Sequence, residues 1–125
     1  MKRFQQIALA LSASMLMAGG CQLTSSEPIE PSTSEHLVEV AKQELSEFEM
    51  FKVSDNGLIT YTARLPGPGY YWKPARIKEI SYEISCIELS YFVDRGLVVK
   101  SEFLGKRGRV EYYDMERCEQ DTPFQ

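Results

Sequence analysis

RIKEISYEISCI, residues 76–87, admits two periodicities, and the architecture turns on which one holds. Ile80, Tyr82, Ile84 and Cys86 alternate with Ser81, Glu83 and Ser85, the pattern of a half-buried strand. Ile77, Ile80, Ile84, Ile87 and Tyr91 recur at steps of three and four, the stripe of an amphipathic helix. The second pattern runs longer, and Pro74 just ahead of it suits a first helical turn, where the missing N–H has no partner to lose. Helix is the working reading, and strand stays open as the alternative.

Working outward from this segment gives clearer elements. Downstream, Gly96 introduces LVVKSEF (Leu97 to Phe103), and RVEYYDM (Arg109 to Met115) follows Gly105-Lys106-Arg107-Gly108. Two extended runs about a glycine-bounded turn predict a β-hairpin. Upstream, Phe51 to Asp55 and Leu58 to Leu65 flank Asn56-Gly57, a two-residue hairpin signal in which both turn positions want positive φ, although the first arm is short and its reading as a mere approach to the strand LITYTARL stays open. Before them Leu37, Val38, Val40, Ala41, Leu45 and Phe48 follow helical spacing, an amphipathic helix of about four turns. Ser32 with Glu35 offers a capping box, and Ser34 is another cap. The order helix, strand, helix, strand, strand predicts a small single α+β domain. In it an antiparallel three- to four-stranded sheet is packed by one or two helices and braced by one disulfide.

Between the upstream strand and the ambiguous segment lies PGPGYYWKP (Pro66 to Pro74), whose three prolines and two glycines exclude regular structure. Its Tyr70, Tyr71 and Trp72 have two readings. They form a partner-binding loop, since Tyr and Trp offer large contact area at low entropy cost, or they fold back and cap the core.

The 125 residues are 43% hydrophobic and 26% charged, ordinary for a globular chain. The first twenty contain Lys2 and Arg3 but no acid; without them 12 basic residues face 18 acidic ones, a net charge of −6. Such a balance disfavours binding to nucleic-acid backbones. Ile7 to Ala18 is apolar but shorter than the roughly 20 residues that cross a bilayer, which suits a signal-peptide core. Ala18-Gly19-Gly20-Cys21 follows. This resembles the lipobox of bacterial lipoproteins, and the resemblance implies cleavage after residue 20 and acylation of Cys21. Gln22 in place of Asp implies, by the same resemblance, sorting to the periplasmic face of the outer membrane. More than one acyl chain is what stable anchoring requires. The rival reading is an ordinary secretory signal cut nearby, with Cys21 left as a free thiol.

Residues 22–34, QLTSSEPIEPSTS, bury almost nothing and read as a flexible tether. The expected organisation is therefore signal peptide over 1–20, lipidated cysteine and tether over 21–33, and a globular periplasmic domain over 34–125. In that oxidising compartment Cys86 and Cys118 are an even pair, and a disulfide is the expectation.

Nothing in the chain spells catalysis. His36 is the only histidine and has Glu39 nearby, but a metal site needs three or four converging ligands. No GxSxG, SxxK, HExxH or Cys-His nucleophile pattern occurs, and the glycine-rich turns do not open helices after strands. No enzyme, metal or cofactor is expected. The run from Cys86 through Leu89 to Gly96, LVVKSEFLGKRG, RVEYYDM and Cys118 resembles the small α/β pilotin lipoproteins of type II secretion systems. The resemblance carries over Cys21 as the lipidated residue and Cys86 with Cys118 as the disulfide. It implies a non-enzymatic module that binds the C-terminal segment of a secretin subunit in an apolar groove and aids its outer-membrane targeting. Two other classes stay open. One is a periplasmic inhibitor or immunity lipoprotein acting through Tyr70, Tyr71 and Trp72; the other is a structural accessory of an envelope complex.

Overall fold

The structure, a computed structural model, describes residues 26–121. The expected signal segment and Cys21 lie outside the described residues. Glu35–Leu45 form α1, capped by Ser34, whose hydroxyl accepts the Leu37 N–H at 3.3 Å. Val38, Ala41 and Leu45 are its buried stripe. The helix stops there, shorter than the spacing of apolar residues predicts, and Phe48 falls beyond it, 45% exposed.

β1 (Phe51–Val53) and β2 (Leu58–Arg64) form the expected antiparallel hairpin. Its connection is longer than the Asn-Gly signal predicts. Ser54 to Gly57 all lie outside the strands, and of the two signal residues only Gly57 takes a positive φ, +98°. The Asn56 side chain stays in the turn by accepting from the Ser54 hydroxyl at 2.6 Å and the Leu58 N–H at 3.3 Å, the local bonding that makes Asn a turn residue.

Residues 74–93 are helical except at Leu89, but not as one regular helix. α2 (Pro74–Tyr82) passes into a π-helical turn (Glu83–Glu88) and then a short α3 (Ser90–Val93). The wide turn is seen directly: the Leu89 N–H donates to the Ile84 carbonyl, five residues back, at 2.9 Å. Apart from Phe92, the buried residues now fall at every fourth position, Ile77, Ser81, Ser85, Leu89 and Val93. On a regular α-helix each step of four overshoots a full turn by about 40°, so such a row would wind off the sheet; the wider turn takes up that drift. The same shift turns Ile87 and Tyr91, part of the anticipated apolar stripe, out to solvent at 54% and 53% exposure.

β3 (Val98–Leu104) and β4 (Val110–Tyr113) form the second hairpin. The four-stranded sheet has the order β1-β2-β3-β4, but it is mixed rather than antiparallel. β2 and β3 run parallel along their whole length, from Leu58 opposite Val98 to Arg64 opposite Leu104. The reason is the helical segment: a crossover of this length carries the chain back to the end where β2 began, which a tight turn cannot do. After β4, Met115–Gln120 form α4, capped by the Asp114 side chain, which accepts the Arg117 N–H at 2.9 Å. The apolar pattern extends the strand through Asp114 and Met115; the cap ends it sooner.

One sheet face is covered. Ile59 and Val99 meet Ala41 and Leu45 of α1 and Phe92, Val93 and Leu89 from the helical crossover in the main core. A second cluster joins Trp72, Ile77 and Phe103. By register the opposite face carries Lys52, Thr60, Thr62, Arg64, Lys100 and Glu102. Cys86 and Cys118 are bonded, with an S–S distance of 2.00 Å, tying the π-helical turn to α4.

Residues 26–33, which their composition marks as free tether, instead lie along the domain. The Ser26 N–H donates to the Val110 carbonyl at 3.1 Å, and its hydroxyl accepts the Tyr112 N–H at 2.6 Å, on the outer edge of β4. Farther on, the Ser32 N–H donates to the Gly96 carbonyl at 2.9 Å. Composition is a poor guide because the arm is held by backbone groups and hydroxyls that any Ser-rich segment can offer.

Candidate functional site

Exposed aromatic or apolar side chains stand beside charge in several places among the described residues, Ile87 and Tyr91 by Arg95 included, and two of these regions bear most on binding. The first is the end of the sheet where β2 and β3 both finish. Because these strands are parallel, the loop after β2 (PGPGYYWKP) and the turn after β3 (GKRG) emerge side by side. Trp72 clamps them together: its indole N–H donates to the Leu104 carbonyl at 2.9 Å, and its backbone N–H to the Lys106 carbonyl at 3.0 Å. The ring is only 8% exposed and meets Phe103 edge-on at 5.0 Å.

The structure therefore divides the three aromatics. Trp72 belongs to the core, as the capping alternative has it, whereas Tyr70 and Tyr71 stand 58% and 44% exposed. The Arg107 guanidinium lies over the Tyr71 ring, 4.5 Å from its centre, a cation–π contact that orients both. Beside them Arg64, Leu65, Pro68, Tyr70, Leu104 and Lys106 line one shallow hollow.

The second region is the corner between the end of α1 and β1. Lys42, Leu45, Ser46, Phe51, Lys52 and Val53 line an open cleft of about 240 Å³. That is below the usual size of a small-molecule pocket, and it suits apolar side chains of a docking segment better. Phe48 and Met50, 45% and 44% exposed, lie in the connection between its two walls. Sequence reasoning misses this corner because helical spacing counts Phe48 as core; no local signal marks the early end of α1. β1 is an edge strand of three residues, and Lys42 on α1 pairs with Asp55 in the following turn.

A relay of edge-on and tilted ring contacts joins the two regions. Phe48 meets Phe51 at 6.2 Å, Phe51 meets Tyr61 at 5.6 Å, Tyr61 meets Phe103 at 6.4 Å, and Phe103 meets Trp72.

A third group of residues is a brace. Glu111, 6% exposed, receives Arg117 Nη2 at 2.7 Å and lies 2.9 Å from Arg109 Nε, the latter as an ion pair without an aligned hydrogen bond. Arg117 also donates to the Tyr112 carbonyl and stacks on Tyr113, and the Tyr113 hydroxyl donates to Asp121 at 3.0 Å. Burial holds the Tyr113 hydroxyl far above its ordinary pKa, so it stays a donor. Burial would raise the Asp121 pKa, but the Tyr113 hydroxyl, Lys78 and Arg117 outweigh it and hold the carboxyl below its usual value. Every charge here is paired, which is what buried ions require, and the arrangement fixes α4 on β4.

His36 is exposed at the start of α1. Among the described residues no group of three or more His, Cys, Asp or Glu side chains is placed to hold a metal ion, and no helix is long and apolar enough to cross a membrane. Comparison with protein-family models, curated proteins and solved structures gives no match.

Proposed function

We propose that the chain is an outer-membrane lipoprotein, acylated at Cys21 and facing the periplasm, that acts by binding rather than by catalysis. Its ligand is an amphipathic helical segment of a protein partner, taken up in the cleft between α1 and β1. In the pilotins that the chain resembles, the corresponding ligand is the C-terminal segment of a secretin subunit. The observation that carries this reading is that open cleft, together with Phe48 and Met50, two large apolar side chains left in solvent in the connection between α1 and β1. Helix-in-groove recognition needs such a surface: an apolar floor for spaced anchor residues and polar edges to set register. Leu45, Phe51 and Val53 supply the floor, and Lys42 and Lys52 the edges.

The inhibitor alternative relies on an aromatic loop with Trp72 available for insertion. With Trp72 packed on Phe103, that loop offers only Tyr70 and Tyr71. The cleft is therefore the better-supported binding surface.

The test is fluorescence anisotropy with labelled secretin C-terminal peptides and the mature chain. Binding that falls at least about tenfold on Phe48→Glu with Met50→Glu, both exposed positions, supports the cleft. Absence of binding by every secretin tail tried, together with normal secretin localisation when the gene is deleted, sinks the pilotin reading. Mass spectrometry of the mature amino terminus tests the acylation separately.

A further inference from the structure

The end of the sheet built by the two loops is basic on an acidic protein. From Arg64 to Lys78 the chain carries Arg64, Lys73, Arg76 and Lys78 without an acid, and from Gly105 to Arg109 it carries Lys106, Arg107 and Arg109 without one. Arg76, Lys78 and Arg109 are paired with Glu79, Asp121 and Glu111. Arg64, Lys73, Lys106 and Arg107 are exposed and have no carboxylate partner among the described residues. They surround Tyr70 and Tyr71, the residue type that settles at the headgroup level of membranes, where one end of the ring is wet and the other apolar.

The amino-terminal arm points toward this same end. From Ser32 at Gly96, before the start of β3, the arm leads back to Ser26 on Val110 and Tyr112. These two residues lie opposite Glu102 and Lys100 in β3, so the arm travels along the sheet toward Leu104 and the basic turn. Five residue steps lead from Ser26 back to Cys21, a span of at most about 18 Å. A free tether over residues 21–33 would let the domain tumble beneath its anchor. An arm pinned at Ser26 does not: it limits an anchor at Cys21 to that span from Ser26, on the edge of β4 that leads to the basic, aromatic end.

We infer that this end is a membrane-docking surface: Arg64, Lys73, Lys106 and Arg107 engage anionic phospholipid headgroups while Tyr70 and Tyr71 insert at the interface. The inference rests on the reading of Cys21 as the lipid anchor. Docking holds the domain in one orientation, with the cleft beside α1 turned to a fixed height above the bilayer. The overall charge of −6 without Lys2 and Arg3 works against attraction to an anionic surface, so binding must come from this patch and weaken with salt.

The experiment uses the mature chain from residue 21 with Cys21→Ser, which removes acylation from the measurement. Its co-sedimentation is followed with vesicles of phosphatidylglycerol and phosphatidylcholine, and with phosphatidylcholine alone. Salt-sensitive binding to the anionic vesicles is expected. Arg64→Gln, Lys106→Gln and Arg107→Gln together should reduce partitioning about a hundredfold, at roughly fivefold per charge near the surface. Lys78→Gln, Arg95→Gln and Lys100→Gln, the same charge change at positions outside both the unpaired patch and the cleft, should leave most of the binding in place. Equal loss in both triple variants, or no preference for anionic vesicles, overturns the proposal. Capture of a polyglutamate peptide without vesicle binding also overturns it, by assigning the patch to an acidic protein. An unmodified Cys21 in the native protein would instead defeat the anchor reading, an outcome that vesicle binding by the Cys21→Ser chain cannot mimic.

Discussion

The indole N–H of Trp72 donates to the main-chain carbonyl of Leu104 at 2.9 Å, joining residues 32 positions apart. One bond thus connects the loop after β2 to the end of β3, and the ring closes the second core cluster against Phe103. Trp72→Phe keeps an aromatic ring but leaves that carbonyl without its donor, at a cost of about 1–2 kcal/mol. Trp72→Ala also opens a cavity and should cost about 3–5 kcal/mol. Urea denaturation of both variants separates the two contributions; equal losses would show that packing contributes little.

Reduction of the Cys86–Cys118 bond should lower stability by about 3–4 kcal/mol, the loop-closure entropy for a separation of this size. Paired replacement by Ala should give the same loss in non-reducing buffer, and reductant should then have no further effect on the variant. A loss below about 1 kcal/mol would mean that the brace around Arg117 already holds α4 in place.

Gly96 takes φ +101°, and a Cβ there would lie 1.9 Å from the Ser32 carbonyl oxygen. Gly96→Ala should therefore destabilise by about 2 kcal/mol or more, through backbone strain and displacement of the arm. At Gly67 a Cβ meets nothing within 4 Å, and Gly67→Ala should stay within about 0.5 kcal/mol. Limited proteolysis is the second readout: the arm before α1 should be cut faster in the Gly96 variant. Equal cleavage rates would show that the arm does not depend on this contact.

The Asp121 carboxyl has a lower pKa in the folded protein than in the unfolded chain. Its contribution is thus complete above the unfolded value near pH 4 and is lost as pH falls through the folded value. Asp121→Asn should cost about 1–3 kcal/mol at neutral pH, because it weakens bonds to Tyr113 and Arg117. The difference between parent and variant should stay level down to about pH 4 and shrink below it. A difference that shrinks instead between pH 8 and pH 6 would assign the effect to another group.

Local chemistry makes several features legible in the chain of residues. Ser34 can be named as a cap because a hydroxyl ahead of an apolar period has an N–H to accept. Helix is the better reading of residues 76–87 because the three-and-four stripe outlasts the alternation. Its register is not legible. The π-helical turn replaces that stripe with Ile77, Ser81, Ser85, Leu89 and Val93, and two of these are serines that no hydrophobic count selects. α4 escapes such reading because Asp114 follows RVEYY without a break in polarity, and only its bond to the Arg117 N–H ends the strand. Phe48 misleads for the opposite reason: its spacing fits α1, but the helix ends before reaching it.

By itself the sequence determined the α+β class and the second hairpin and, with Cys21 set apart by the lipobox resemblance, the expectation of a Cys86–Cys118 bond, because spacing, turn residues and thiol positions are local properties. Tertiary structure alone decided that β2 and β3 run parallel, that Trp72 turns inward, and that residues 26–33 lie on the domain. The parallel pairing matters most. It sets PGPGYYWKP and GKRG at one end of the sheet, where an antiparallel meander would have put them at opposite ends. Strand direction depends on where a distant crossover returns the chain, and no local pattern of residues encodes that.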